Sequence, residues 1–510
     1  MRYVVAAFIC AALLALALTW AALGTETALT DEDLTLLTGT DWYSVLVRGQ
    51  RSGYACVQVQ PAEVAGEQGL RVTEDVKILI TMGAQELEAA KSQVTLFDNH
   101  LRPVSIELFK NELGRTSRLQ ATLADDELTI SRHSAADNED NTRTLTVADD
   151  FASDLLIAWR AARGDLKVGD SFSYQSYDPE LDALDRYQVS VPRTEQVGET
   201  PALVVTAASE KLGIEVINWL DASGHLLRQQ VPGLMDLTLE RVTEAEALAD
   251  LSPFEVSSEV RVSGRLPARH LVDSVEMRVR RRVGPAAELL PTTPRQQVVA
   301  DGDDALVTIT RERPPLESAT LPVTDPELAG FLAATTHAQS DAPAIVAKAR
   351  EIVGEETDAW AAAQKIVGWV YHNMKKVQSE PRPITAVECL DTMTGDCTEH
   401  AVLTTALARA AGLPARMAVG LIYVGGAFGY HAWSEIYVGR WVEMDPSWGQ
   451  MTVDAEHLLL QTSALDDVSY ARASLATGRT LGAIEIDLLA YVGTDGRRVE
   501  LHEQQPPPEE

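Results

Sequence analysis

Residues 389–457 read CLDTMTGDCTEHAVLTTALARAAGLPARMAVGLIYVGGAFGYHAWSEIYVGRWVEMDPSWGQMTVDAEH, and this stretch decides the fold of the C-terminal part of the chain. Asp396 stands where the N-cap of a helix belongs, and apolar residues recur at helical spacing until Gly412 and Pro414 end the pattern. We therefore expect a helix that begins at Cys397. A helix N-terminus stabilises a thiolate, so Cys397 is a candidate nucleophile.

Three β-rich runs follow the predicted helix: RMAVGLIYV, GYHAWSEIYV and RWVEMDP. They predict an antiparallel sheet that packs on the helix, with His431 and Asp445 on its last two strands. A two-residue loop between these strands would place the two side chains on opposite faces. A three-residue loop, residues 438–440, pairs Tyr437 with Trp441 and places both side chains on one face. A catalytic His–Asp pair therefore requires the odd-numbered loop.

The motifs GDCTEHA, GLPAR, FGYHAWSEIYVGRW and MDPSWGQ resemble the transglutaminase-like superfamily, specifically its bacterial exported members. The resemblance implies Cys397 as nucleophile, His431 as general base and acid, and Asp445 as the residue that orients the imidazole. It also implies an α+β, papain-like core, with a helical N-terminal lobe and the nucleophile helix packed on an antiparallel sheet. Similar triads occur in arylamine N-acetyltransferases and in peptide-cleaving relatives, so the resemblance indicates acyl transfer through a thioester.

Three functions stay open at this point. We expect hydrolysis of peptide or protein amides, including cell-wall peptides; the alternatives are protein cross-linking and a non-catalytic envelope scaffold or binding protein. Trp433 is a candidate substrate-binding residue that walls the acyl site. We expect no cofactor and no metal, since the acidic run VADGDDA lacks the ligand spacing of a calcium-binding loop.

The sequence outside residues 389–457 predicts further domains. Residues 25–250 alternate short β-rich runs with turn residues and contain one helical run, which predicts a large antiparallel β domain. Residues 251–321 predict a small β-rich domain, and residues 322–465 the transglutaminase-like domain. Residues 466–510 form a C-terminal extension that ends in QQPPPEE, a disordered tail by composition.

The N-terminus predicts export. Residues 4–23 are apolar except for Thr19, with Arg2 before them, so residues 1–24 are either a membrane anchor or a cleaved signal peptide. Either alternative places the body of the protein outside the inner membrane, in the periplasm. The membrane is contacted only through this segment.

The charge of the chain excludes some partners. Acidic residues outnumber basic ones by 75 to 43, for a formal charge of −32, which would repel a phosphate backbone. Nucleic acid is therefore not an expected partner. Beyond the N-terminal segment only Cys56, Cys389 and Cys397 remain, too few for a disulfide scaffold. Cys389 is expected to be a buried helix residue or a disulfide partner of Cys397.

Overall fold

The computed structural model describes residues 28–82, 85–112, 115–134, 141–153, 155–257, 259–377 and 385–501. The chain divides into two units at Val256 and Ser257. The predicted membrane segment at 4–23 and the predicted tail lie outside the described residues. The boundaries proposed at residues 250, 321 and 465 stay predictions.

The N-terminal unit is a large antiparallel sheet. Its strands run in the spatial order β8-β7-β6-β5-β4-β3-β2-β1-β14-β13-β12-β11-β10-β9, with β15 parallel to β3. The strands are β1 (Gly39–Val47), β2 (Gln50–Val64), β3 (Glu67–Met82), β4 (Gln85–Phe97), β5 (Pro103–Glu112), β6 (Arg115–Ala124), β7 (Glu127–Ser134), β8 (Asn141–Thr146), β9 (Ser171–Asp178), β10 (Ala183–Val197), β11 (Thr200–Ser209), β12 (Glu215–Leu220), β13 (Leu226–Val231), β14 (Leu237–Val242) and β15 (Phe254–Glu255). The predicted antiparallel region is confirmed.

Among the described residues of this unit, three helices accompany the sheet: α1 (Asp31–Leu37), α2 (Leu155–Ala162) and α3 (Glu244–Leu248). Asp33 of α1 accepts a hydrogen bond from the indole of Trp159 on α2, at 2.9 Å. Apolar side chains of α1 and α2 share one buried cluster with Val59, Leu70 and Val72 of the sheet. The two helices therefore close a part of the sheet that would otherwise expose apolar surface.

The C-terminal unit combines helices with two larger sheets. Its helices are α4 (Pro343–Val353), α5 (Ala359–Asn373), α6 (Ala386–Thr392), α7 (Cys397–Ala410) and α8 (Asp467–Thr480). Its strands are β16 (Glu259–Val260), β17 (Val262–Ser263), β18 (Val272–Arg281), β19 (Gln296–Asp301), β20 (Asp304–Thr310), β21 (Lys375–Lys376), β22 (Thr394–Gly395), β23 (Ala415–Val424), β24 (Ala427–Tyr437), β25 (Trp441–Met444), β26 (His457–Ser463), β27 (Ile484–Gly493) and β28 (Arg498–Glu500).

The first of these sheets carries the predicted site. It has the order β16-β24-β23-β26, and β25 also pairs with β24. Helices α4 to α7 share one apolar core with β23, β24 and β25, and nearly every side chain of α7 is buried. Other apolar residues of β23, β24 and β26 pack in a second core with the other large sheet. The sheet with the predicted site therefore contributes to both cores.

The other sheet has the order β17-β27-β18-β20-β19, with β28 on β27. Strand β27, from the predicted C-terminal extension, pairs with both β17 and β18, from the predicted small β-rich domain. The two segments therefore complete a single sheet. In the described part of the chain, no helix is both long enough and apolar enough to span a bilayer.

Gly395 fixes how the chain enters α7. A Cβ atom at this position would lie 2.3 Å from Cβ of Glu399, far inside van der Waals contact. We predict that Gly395→Ala lowers the free energy of unfolding by about 1–3 kcal/mol, because Glu399 must leave its cap position. Urea unfolding of the purified protein measures this.

Gly429→Ala is the matched control, because a Cβ atom there meets nothing within 4 Å. We expect its free energy of unfolding to stay within about 0.5 kcal/mol of the wild-type value. Equal stability of the Gly395 variant and the wild type would contradict the tight contact.

Candidate active site

The start of α7 holds the candidate nucleophile. Asp396 is the N-cap, and its carboxylate accepts the backbone N–H of Thr398 at 3.0 Å. The carboxylate of Glu399 reaches back to the N–H of Asp396 at 2.9 Å, which completes a capping box. Cys397 is the first residue of the helix and is partly exposed. The predicted helix start is confirmed.

Strands β24 and β25 present the candidate base and its partner. Tyr437 pairs with Trp441, and the N–H of Val438 donates to the carbonyl of Arg440 at 2.9 Å. Residues 438–440 thus form the three-residue loop that the catalytic interpretation requires, with Gly439 at a φ of +110°. The predicted register is confirmed.

His431 and Asp445 are brought together as the sequence predicted. His431 Nε2 lies 2.7 Å from Asp445 Oδ2. The side chain of Cys397 also lies close enough to His431 to raise the pKa of its imidazole. The helix start and the hairpin thus form one chain of contacts, from thiol to imidazole to carboxylate.

The electrostatics favour a charged imidazole. Burial alone would lower the pKa of His431, but the carboxylate of Asp445 and the side chain of Cys397 outweigh it and raise the pKa to about 10. Burial likewise disfavours the ionised form of Asp445. The charge of His431 and the hydrogen bonds donated to the carboxylate nevertheless hold the pKa of Asp445 well below its usual range. The pair is therefore an imidazolium beside a carboxylate.

Asp445 is completely buried and accepts five hydrogen bonds from described residues. Oδ1 accepts the backbone N–H of Ser447 at 2.7 Å, its hydroxyl at 2.8 Å and the N–H of Trp448 at 3.0 Å. Oδ2 accepts from His431 and, at 3.3 Å, from His457 Nε2. These donors replace the water that an ionised carboxylate needs.

His457 is a site residue that the sequence analysis missed. It is completely buried at the start of β26, and its Nδ1 lies 2.9 Å from Asp454 Oδ1. Burial opposes its charged form, but Asp445 and Asp454 raise its pKa overall. Asp454 has its pKa lowered to about 2, because the contact with His457 overcomes burial. The spacing Asp-x-x-His in VDAEH was the available signal.

His431, Asp445 and His457 are also the described residues whose ligand atoms lie close enough together to hold a metal ion. Their spacing suits hydrogen bonds better. Two ligand atoms that each lie about 2.1 Å from a tetrahedral zinc ion are themselves about 3.4 Å apart. The 2.7 Å between His431 Nε2 and Asp445 Oδ2 is instead the length of a charge-assisted hydrogen bond.

Trp433 packs beside the two histidines. Its ring centroid lies 6.1 Å from that of His431 and 5.2 Å from that of His457. The indole N–H donates to Glu443 at 2.9 Å, and the side chain has no exposed surface. Its predicted role in substrate binding stays a prediction, and in this structure it supports the imidazoles from within the core.

Arg295 connects the site to the β17–β20 sheet, and the sequence analysis missed it too. Its guanidinium binds both carboxylate oxygens of Glu443, at 2.7 and 2.9 Å, and both side chains are about 5% exposed. It also donates to the backbone carbonyl of His457 at 2.7 Å. Gln296 follows it and exchanges two hydrogen bonds with the backbone of Leu459. These contacts hold β26, and with it His457, in place.

The rim of the site carries an exposed tryptophan between two cations. Trp448 is 37% exposed, and its backbone N–H donates a hydrogen bond to the carboxylate of Asp445. The guanidinium carbon of Arg269 lies 4.1 Å from its ring centroid, and Nζ of Lys376 lies 4.9 Å from it. Both contacts are short enough for cation–π attraction.

Cys389 is a buried residue of α6, as one of the two alternatives predicted. Neither Cys389 nor Cys397 is part of a disulfide in this structure. The predicted disulfide between them is therefore not formed here.

Comparison with solved structures gives weak likenesses. A candidate cysteine protease from Cytophaga hutchinsonii is 16% identical, with a TM-score of 0.30, over 46% of this chain and 89% of that protein. A β-barrel-like protein of a domain of unknown function from Brucella abortus is 13% identical, with a TM-score of 0.31, over 40% of this chain and 95% of that one. A candidate protease from Parabacteroides distasonis is 11% identical, with a TM-score of 0.18, over 84% of this chain and 70% of that one.

Curated proteins give no match to this chain. Comparison with protein families gives a match to the transglutaminase-like superfamily at residues 346–446. The matched range contains α7, β24 and β25, and therefore Cys397, His431 and Asp445. These elements form a domain of the transglutaminase-like superfamily.

Proposed function

We propose that this protein is a thiol-dependent hydrolase of peptide or protein amides, with a papain-like core and Cys397, His431 and Asp445 as its catalytic triad. One observation carries the proposal. The partly exposed thiol of Cys397 opens α7 and contacts an imidazole that a buried carboxylate holds at 2.7 Å. A non-catalytic scaffold has no need of a buried carboxylate with this arrangement of partners.

The reaction uses two proton transfers. In the resting ion pair His431 already holds the proton of Cys397, and the thiolate attacks the carbonyl carbon of the amide. The backbone N–H of Cys397, at the first position of α7, has no acceptor within the helix and is available to the oxyanion. His431 then protonates the leaving amine, and the C–N bond breaks to give a thioester. Water, deprotonated by His431, cleaves the thioester to a carboxylic acid and the free thiol.

Water is the acyl acceptor that the surroundings of the thiol favour. Cross-linking needs a primary amine to approach the thioester, and the lysine ammonium carries a positive charge. Arg269 and Lys376 stand at the rim beside Trp448 and repel such a cation, whereas they do not repel water. This charge supports hydrolysis over amine transfer.

We further propose that the enzyme works in the periplasm, exported through residues 1–24 and anchored to the inner membrane where residues 4–23 are not cleaved. The apolar length of that segment supports this location. Exported amides, in proteins or in cell-wall peptides, would then be the substrates.

Labelling by iodoacetamide at neutral pH tests the activated thiol. We expect wild-type protein to be alkylated at Cys397 and His431→Ala to react about 100-fold more slowly, because the imidazolium no longer stabilises the thiolate. Peptide mass spectrometry locates the label. Cys389 is buried, and burial together with Asp75 raises the pKa of Cys56 to about 11, so neither competes.

His372→Ala is the matched control, since this exposed histidine lies on α5 and has no part in the proposed triad. Its labelling rate should equal that of the wild type. Equal rates in the wild type and His431→Ala would exclude the proposed Cys–His pair.

The charge state of His431 gives a second test. The imidazole should stay protonated from about pH 5 to 9 in the wild type. Asp445→Asn removes the carboxylate that favours the imidazolium, so we expect the pKa of His431 to fall by about one to three pH units. NMR titration of ¹⁵N-histidine-labelled protein measures both values.

His225 provides an internal control for that titration. A hydrogen bond with Asp41 raises its pKa in the N-terminal unit, so Asp445→Asn should leave its signal in place. A wild-type His431 that titrates near its ordinary value of about 6.5 would contradict the ion pair.

The acyl acceptor is tested with a peptide mixture. A tryptic digest of soluble proteins is incubated with the enzyme, with and without methylamine, and the products are analysed by mass spectrometry. We expect new carboxyl termini without amine adducts, because water reaches the thioester without charge repulsion. Cys397→Ala protein serves as the blank. Amine adducts as the main products would establish cross-linking chemistry instead.

A further inference from the structure

The rim cluster, Arg269, Lys376 and Trp448, is connected to two segments of the site, the entry to α7 and the turn after Asp445. Lys376 pairs with Gly395, two residues before Cys397, in the short parallel contact of β21 and β22. Trp448 follows the other end of the triad and binds Asp445 through its backbone N–H. A substrate that reaches Cys397 therefore passes close to this cluster.

The positive charge of the rim cluster contrasts with the protein as a whole, which carries a formal charge of −32. Within the described part of the chain, Lys376 has no carboxylate within 4 Å. Arg269 lies 3.9 Å from Asp454 Oδ2, a contact longer than a hydrogen bond, and its charge also acts on the carboxyl group of Glu456. Both cations thus retain donors for a further anion.

The indole adds an apolar surface to these charges. Trp448 is more than one third exposed, although it lies directly above the buried Asp445 network. Exposed tryptophans contribute large contact area at low entropic cost, and a guanidinium or ammonium group pairs well with a carboxylate. The combination suits a side chain with a methylene stem and a terminal carboxylate.

We propose that the rim cluster is a substrate subsite for acidic peptides, in which Arg269 and Lys376 bind a carboxylate close to the scissile amide and Trp448 supports its stem. The inference rests on the proposed hydrolase function and names its substrate class. It also gives a reason for an exposed aromatic residue at this point, since burial would stabilise the fold more.

Two dipeptidyl chloromethyl ketones, Glu-Gly and Gln-Gly, test the subsite. Both alkylate a reactive thiol, and they differ only in one carboxylate. The rate of each is divided by the rate of iodoacetamide with the same protein, which corrects for thiol reactivity. We expect the Glu-Gly reagent to be about two- to fivefold faster than the Gln-Gly reagent in the wild type, the size expected for a charge contact near the surface.

Variants show whether the preference for the Glu-Gly reagent comes from the rim cluster or from other charges of the protein. Arg269→Gln and Lys376→Gln should each move the Glu-to-Gln ratio toward one, as should a rise in NaCl from about 0.02 M to about 0.5 M. Lys375→Gln is the matched control, because Lys375 is an exposed neighbour on the same two-residue strand. It should keep the wild-type ratio.

The outcomes distinguish the two proposals. A wild-type ratio of one, or a ratio that both rim variants leave unchanged, would overturn the acidic subsite while the thiol still reacts. A protein whose Cys397 reacts with none of the three reagents would overturn the proposed hydrolase function itself. A ratio above one that falls in both rim variants and not in Lys375→Gln supports the subsite.

Discussion

The buried carboxylate of Asp445 is the point on which the candidate site depends. An ionised group without exposed surface is strongly unfavourable unless its oxygens are hydrogen-bonded. Its donors come from three places: His431 on β24, the turn at Ser447 and Trp448, and His457 on β26. Because each donor must be in place, the position of one carboxylate fixes the imidazole, the turn and the third strand together.

The β17–β20 sheet stabilises this arrangement from outside the family-matched region. Arg295 and Gln296 lie about 160 residues before β26 in sequence, yet they bind the backbone of His457 and Leu459. A buried ion pair such as Arg295–Glu443 adds little net stability, since desolvation offsets most of the attraction. Its directional bonds do define one arrangement of the strand. Arg295 and Gln296 therefore help to position the triad from outside that region.

Local signals in the sequence were sufficient for the triad itself. The N-cap Asp396 marks the start of α7, and strand alternation with a Gly-containing loop fixes the register that brings His431 to Asp445. Arg295 was missed because its partners Glu443 and His457 are distant in sequence. The partners of His457 are near it in sequence, but its place in the site depends on how β26 pairs in the sheet. Pattern reading assigns strands, but it does not show that β26 lies beside β23 or that the loop before β19 reaches it.

Two tryptophans, Trp433 and Trp448, also show that sequence patterns alone do not tell which side chains are buried and which are exposed. Trp433 and Trp448 both flank triad residues in sequence, but the first alternates into the core and the second lies in a turn at the surface. Trp448 binds Asp445 through its backbone N–H alone. The side chain of Trp448 contacts Arg269 and Lys376 instead. Changes in that side chain can thus alter what binds at the rim and leave the hydrogen bonds of the buried carboxylate intact. The proposed recognition and the proposed catalysis therefore depend on chemically independent groups of one residue.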